Sequence, residues 1–413
     1  MAASLLLVTV SATAAAKASA AASFTGPEVV LPARIDTIVI HGLVRTKERI
    51  VLRELPWRMA TVVTRADFEL GLKRLWNTTM FSRVAGRVIR RDGVNCAVLD
   101  LEERFPIRPL VDVQTGGSVT SLQLGISDRN IFGQYLELES YFAEFNGKAG
   151  GSVWFRDARL FDRRLELVVV LDRLMRPRPE YLVQTTRGRL ELNLLVMRDL
   201  IEIGTRIDVR NDDFFQPLQG TNPALPSRVQ AVIAEPGFRI GRIDTVRLRQ
   251  TGFTLEVRPA LGATSVRGAP TFRRLWLEAD AKGMAGEHWG FDLRAQFGTV
   301  TDSPDEMQFF LGGLDVIRGY PDNYFQGTAC GVYNADVKYV VFDSTWLAVI
   351  PEAFSDGAAI RRASGANDAA MSVGGGVILV IPKLVDSFFR VEVGVPLRPP
   401  YTPGLSTGTQ IFF

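Results

Sequence analysis

The chain is poor in the residues that carry most metal and acid–base chemistry. Of its 413 residues only two are histidine and two are cysteine. His41 and His288 cannot form a histidine cluster, which removes most histidine-based catalysis and metal ligation. Cys96 and Cys330 stand far apart with no cysteine or histidine beside them, so the sequence offers neither a thiolate metal motif nor a disulfide framework. An excess of one charge is missing too: 48 Lys and Arg against 45 Asp and Glu leave +3. Without a basic stripe, nucleic acid is not an expected partner. No internal window reaches the ~18 consecutive apolar residues of a spanning helix. The expectation is a protein with no catalytic residues, no metal site and no cofactor, and therefore not an enzyme.

What is present is length and alternation. An apolar content of 46% with 23% charged residues fits folded structure, and the length allows two domains. The start, "MAASLLLVTVSATAAAKASAAA", has an apolar stretch from Ala2 to Val10 and an A-x-A sequence at Ala18, Ser19 and Ala20. This predicts a secretory signal peptide over 1–22, although no Lys or Arg precedes the apolar stretch; a disordered Ala-rich tail is the alternative.

Residues 33–104 change period three times. "RIDTIVIHG" alternates as a strand up to Gly42. "TKERIVLREL" carries Ile50, Leu52 and Leu55 on one helical face with Thr46 as a possible N-cap, and "TRADFELGLKRLWNTTMF" repeats the pattern behind Thr64. "FSRVAGRVIRRDGVNCAVLDLEE" reads as a hairpin turning at Asp92-Gly93. The predicted order is β-α-α-β-β, a small α+β domain.

From Phe105 to Phe413 helical periodicity disappears. Leu122, Leu124 and Ile126 oppose Gln123, Gly125 and Ser127, and Leu136, Leu138 and Phe142 oppose Glu137, Glu139 and Tyr141. Phe291, Leu293, Ala295 and Phe297 oppose Asp292, Arg294 and Gln296; Phe389, Val391, Val393 and Val395 oppose Arg390, Glu392 and Gly394. A soluble β-sandwich alternates in the same way. However, the region holds about sixteen candidate strands of roughly nine to eleven residues, the length a tilted strand needs to cross a bilayer. The predicted fold is an all-β transmembrane barrel over 105–413, with longer outer loops near 174–180, 212–228, 299–307 and 357–370. "GLSTG", residues 404 to 408, matches a hydrolase nucleophile pattern, but Ser406 is followed by too few residues for the helix and histidine such an elbow needs.

Several motifs carry resemblances. "VIHGLVRTKERIVLREL" and "LWNTTMFSRV", in that β-α-α-β-β order, resemble the polypeptide-transport-associated (POTRA) domain, with Gly42, Arg45, Thr46, Phe81 and Val84 at its usual positions. The resemblance implies a periplasmic module that receives unfolded client polypeptides at a sheet edge; a domain that merely props up the barrel is the alternative. "STGTQIFF", through Ser406, Gly408, Ile411 and Phe413, resembles the C-terminal β-signal of outer-membrane proteins. That implies contact with outer-membrane lipid in a Gram-negative-type envelope.

A POTRA-like module before a barrel containing "VIRGY" resembles the outer-membrane-protein-eighty-five superfamily, in a form with room for one POTRA domain. The resemblance implies a loop folded back inside the barrel with Ile317, Arg318, Gly319 and Tyr320 at its tip. Arg318 would contact an F-x-D motif on the inner wall, matched by Phe354 and Asp356 in "EAFSDG". "NADVKYVVF" is similar to the family's Asn-x-Glu-x-Arg strand, with Asp336 and Lys338 as replacements. For Arg318 an exposed loop position and a pore-constricting charge remain open. The implied function is assembly of outer-membrane proteins or passage of polypeptides across that membrane, with periplasmic or outer-membrane accessory proteins as further partners. A passive pore or structural barrel without a protein client is the alternative.

Overall fold

The structure is a computed structural model that describes residues 25–116, 119–145, 148–178, 181–217, 227–313, 316–384 and 388–408. The expected signal peptide, and Ile411 and Phe413, lie outside these residues. The chain divides into two compact units, one ending at Glu103 and one beginning at Arg104.

The first unit contains β1 (Ala33–Ile35), β2 (Thr37–His41), α1 (Glu48–Glu54), β3 (Thr61–Val63), α2 (Arg65–Asn77), β4 (Phe81–Arg91) and β5 (Val94–Glu103). Its main sheet has the order β2-β5-β4, with β2 parallel and β4 antiparallel to β5. The β4–β5 hairpin turns through Asp92 and Gly93, both at positive φ, as a two-residue primed turn requires. Thr64 caps α2, its hydroxyl accepting from the Asp67 N–H at 3.1 Å. Gly86 lets α2 lie close on the sheet: a Cβ there would stand 2.8 Å from Leu72 and 3.0 Å from Phe68.

Two details of this unit differ from the sequence reading. Thr46 is not the cap of α1; Lys47 precedes that helix without a side-chain cap, and Thr46 is buried. Thr46 stands one residue too early, in the turn whose N–H groups bond Glu103, so that the first helical bond runs from the Ile50 N–H to the Lys47 carbonyl. A short β1–β3 ladder was also not legible, because three-residue strands carry too little alternation. Beyond the sheet proper, the outer edge of β4 is met by the segment before β1, with Val29 N–H bonding Val88 O at 2.8 Å and Arg90 N–H bonding Pro27 O at 2.9 Å. No described strand pairs along the outer side of β2.

The second unit is a closed antiparallel barrel of sixteen strands plus a two-residue piece at Phe342–Asp343. Its first strand, Ile107–Gly116, meets Gly404–Gly408 through Leu405↔Thr115, Ser406↔Gln114 and Thr407↔Val113. Closure leaves no sheet edge to be satisfied by lipid. Burial is inverted relative to a soluble protein: Leu293 is 53% exposed while its neighbours Asp292 and Arg294 are 8% and 6% exposed. Leu124, Ile126, Leu261, Phe389 and Val393 likewise face outward. Apolar outside and charged inside is the pattern of a membrane barrel, which resolves the sandwich alternative.

Strand length is a correction. Arg228–Val246 runs for 19 residues and Ile201–Pro217 for 17, well beyond the expected nine to eleven. Residues 174–177, 212–217, 299–301 and 357–361, expected as outer loop, are strand. Their polar side chains pair across strands, as in Arg228 to Asp213 at 2.7 Å and Thr185 to Asp212 at 2.7 Å, so the ladder continues past the apolar band. The charge in these stretches marks cross-strand pairing rather than loop.

Candidate functional site

One connection stands apart in length. Residues 302–328 join Trp289–Thr301 to Ala329–Tyr339 and contain a small hairpin, Phe309–Leu311 with Phe325–Gly327. Gly312 and Gly313 both take positive φ, which turns the chain sharply after the first hairpin strand. The tip then closes on itself, with Gly313 N–H bonding Tyr320 O at 3.1 Å and Ile317 N–H bonding Gly313 O at 3.0 Å. Ile317 and Tyr320 are buried with Leu311 and Phe325 against Cys330, Val332, Ile360 and Ala370 of the barrel wall. The loop therefore lies inside the barrel, held partly by apolar contact.

Arg318 is 1% exposed, which removes the open-loop alternative. Its Nε and Nη2 donate to the two carboxylate oxygens of Asp356 at 2.8 and 2.7 Å, and its own backbone N–H donates to Asp356 Oδ2 at 2.9 Å. Nη1 reaches Asp336 at 2.8 Å and Glu392 at 3.0 Å. The guanidinium carbon lies 3.6 Å from the centre of the Phe354 ring. The fork geometry of arginine allows this: one side satisfies a single carboxylate bidentately while the remaining nitrogen serves two more, and the planar face stacks. A lysine could supply the charge but not that arrangement.

The wall residues come together through register. Asn334 pairs across from Asp356, and Asp336 from Phe354, on adjacent strands Ala329–Tyr339 and Ala348–Arg361. Asn334 donates to Asp356 Oδ1 and to the Val316 carbonyl, each at 2.9 Å, and accepts from Arg294. Lys338 lies on the same strand but engages Asp292 at 2.6 Å, a step away from Arg318. Pro351 is accommodated where pairing passes from Lys338↔Glu352 to Phe342↔Val349, so its missing N–H falls at an interruption in the ladder.

Three contributors were not anticipated. Glu392, buried and also bonded to Arg390, stood on the charged face of its strand, but nothing in one sequence links that strand to the loop. Asn334 was passed over within a motif valued for its charges. Gly394 and Gly404 form a notch for Gly319: a Cβ on Gly319 would lie 2.8 Å from the Gly394 backbone, and one on Gly404 3.1 Å from Gly319 Cα. Tyr320 completes the tip, its hydroxyl near the Met371 and Arg398 carbonyls at 3.2 and 3.1 Å.

In the first unit, Arg45 and Thr46 meet with Val44 on one carboxylate. Gly42 has φ +85°, and a Cβ there would stand 1.8 Å from Leu101 O. The following turn presents the N–H groups of Val44, Arg45 and Thr46 to Glu103 at 3.1, 2.9 and 2.9 Å. Phe81 and Val84 are buried in the same unit. Ser406 and Gly408 lie in the last described strand, Ser406 paired across from Glu392 and Gln114, so Ser406 is not at a strand-to-helix elbow. Cys96 and Cys330 are free and buried. Among the described residues no group of three or more His, Cys, Asp and Glu could hold a metal ion, and no helix is long and apolar enough to cross a membrane.

No family model matches the chain, and no curated protein matches it. Solved structures do. The chain is similar to CdiB from Acinetobacter baumannii, with 12% identity and TM-score 0.61 over 91% of this chain and 74% of that one. It is similar to CdiB from Escherichia coli, with 14% identity and TM-score 0.59 over 92% and 76%. It is also similar to BamA from Haemophilus ducreyi lacking POTRA domains 1–3, with 12% identity and TM-score 0.55 over 91% and 84%. At such identities the likeness is one of fold, and the fold of this chain is the sixteen-stranded transmembrane barrel with a small α+β unit before it.

Proposed function

We propose that this chain is a member of the outer-membrane-protein-eighty-five superfamily that assembles outer-membrane proteins or carries polypeptides across that membrane. The observation that carries the reading is Arg318, buried at the tip of an internal loop and shared among Asp356, Asp336 and Glu392 on three wall strands. A passive pore has no need for so elaborate a hold on one loop tip, whereas a transporter needs a loop with one defined resting position. The fold shared with BamA and CdiB supports the same reading.

In this reading residues 33–104 are a single POTRA-like domain in the periplasm and 105–413 the outer-membrane barrel. Unfolded clients add as strands to a sheet edge of the first unit, where unpaired backbone groups accept any extended chain. The outer side of β2 suits this better than that of β4, which already meets residues 27–29. Ile317, Arg318, Gly319 and Tyr320 form a latch against Phe354, Asp356 and Asp336; Ser406 and Gly408 lie in the closing strand and belong, with Ile411 and Phe413, to the proposed β-signal. Outer-membrane lipid and accessory proteins are the other partners.

The test is deletion of the gene in its own host, with outer-membrane and secreted proteomes compared before and after restoring the wild-type gene. Loss of specific barrels or exoproteins, reversed by the gene, supports transport. Unchanged proteomes with lower small-solute permeability would support the pore instead.

A further inference from the structure

The loop that carries Arg318 touches the wall at a second place. Arg178, in the hairpin between Leu165–Pro177 and Tyr181–Val196, is 9% exposed. Its Nη1 donates to Asn323 Oδ1 at 2.5 Å, and its guanidinium carbon sits 3.7 Å from the centre of the Phe310 ring. Both partners belong to the 302–328 loop. Asp356 lies on the thirteenth strand of the ring, and Arg178 joins the fifth to the sixth, so the two contacts are about half the circumference apart. Between them, Met307 and Phe309 pack against Val229, Ala231, Ile233, Phe272 and Val300 of the intervening wall. The loop spans the lumen as a strap fixed at both ends.

The two fixings differ in kind. Arg318 holds three carboxylates, a ring and a glycine notch. Arg178 holds one neutral amide and one ring, with Arg176 and Arg210 as its charged neighbours along with Asp322. A buried cation bonded to a neutral amide gains less than one bonded to carboxylates. We propose that Arg178 is a positioning residue that acts as the release catch of the loop: the strap opens by parting at Asn323 and Phe310 while Arg318 stays seated as the hinge. The inference rests on the loop being the movable element of the proposed transporter, but not on any client.

The test is single-channel recording of the full-length protein reconstituted in planar bilayers, with no polypeptide added. Arg178→Ala and Asn323→Ala each raise the open probability about fivefold or more, as expected when one state of a two-state equilibrium loses a contact. The double variant opens no more than Arg178→Ala alone, because the two side chains share one contact. Arg178→Lys falls between wild type and Arg178→Ala, a graded rescue that general loosening of the barrel would not produce. Heat-modifiable migration establishes that each variant is folded; should Arg178→Ala fail that check, Asn323→Ala decides alone. Wild-type closure in both single variants would overturn the catch, as would single-variant effects that multiply in the double. Because no client is present, that failure is distinct from an unchanged proteome on gene deletion, which would overturn transport.

Discussion

Gly319 and Gly394 lie so close that neither has room for a side chain: a Cβ on Gly394 would stand 2.6 Å from the Gly319 nitrogen. Gly319 also takes φ +91°, a conformation that favours glycine. The loop tip is thus seated on the wall by shape as well as by charge. Gly394→Ala is predicted to lift the tip while leaving every charged group of the site in place. Trypsin cleavage after Arg318 in intact cells measures this, with the wild type resistant and the variant cut.

Removing Arg318 takes the shared cation from three buried carboxylates, of which Glu392 keeps its bond to Arg390 and Asp356 its bond from Asn334. Asp336, Asp356 and Glu392 are each at most 2% exposed, and leaving buried charge without its partner costs about 3–5 kcal/mol. Arg318→Ala should lower the melting temperature of the barrel in detergent clearly more than Asp336→Asn, which keeps the bidentate Asp356 contact. Arg318→Lys should recover only part of the loss, since a point charge cannot serve all the positions that the fork reaches.

The contacts of Arg318 and the outward apolar band were legible in the sequence to different degrees. Alternation identified the outward Leu124, Ile126, Leu293 and Phe389 because a strand has a side-chain period of two, and the period survives in one sequence. Arg318 stood out because an arginine among apolar and glycine residues is chemically odd. Its partnership with Asp356 came from resemblance, not from period. Glu392 and the Gly394 notch were hidden because they are set by which strands neighbour the loop, a property of barrel closure. The long strands were missed because paired charges beyond the apolar band look like loop. Thr46 was misassigned because the turn that precedes α1 is held by Glu103, 57 residues later, and the helix starts one residue further on.

Glu103 should matter more than an ordinary surface carboxylate. It accepts three backbone N–H groups from Val44, Arg45 and Thr46, and hydrogen bonds to a charged acceptor contribute about 1.5–3 kcal/mol. Glu103→Ala is predicted to speed amide exchange at residues 44–46 strongly, and Glu103→Gln to do so weakly, because the amide retains one acceptor oxygen.

The first unit should also weaken in acid. Burial pushes the Asp100 carboxyl upward, but hydrogen bonds from His41 and Arg87 outweigh it and hold the carboxyl below its ordinary value. A depressed carboxylate adds stability above its unfolded pKa that is lost as the pH falls through the folded one. Amide exchange in β2 and β5, taken relative to each amide's intrinsic rate at the same pH, should therefore rise as the pH drops through and below the carboxylate range. Asp100→Asn should flatten that rise; an unchanged slope would show that Asp100 is not the titrating group.

The outward face predicts its own asymmetry. Leu293→Arg places a charge in the apolar band, at a cost of about 2–4 kcal/mol near the bilayer midplane, while Gln296→Arg on the lumen face is tolerated. Insertion into lipid vesicles, followed by heat-modifiable migration, should fall for the first and hold for the second.

The central claim is that a loop latched by Arg318 serves polypeptide transport. The most direct measurement is the outer-membrane and secreted proteome of a deletion strain that carries Arg318→Ala at the same barrel level as a wild-type control. The prediction is that the proteins restored by the wild type stay missing with the variant. Full restoration by Arg318→Ala would contradict it.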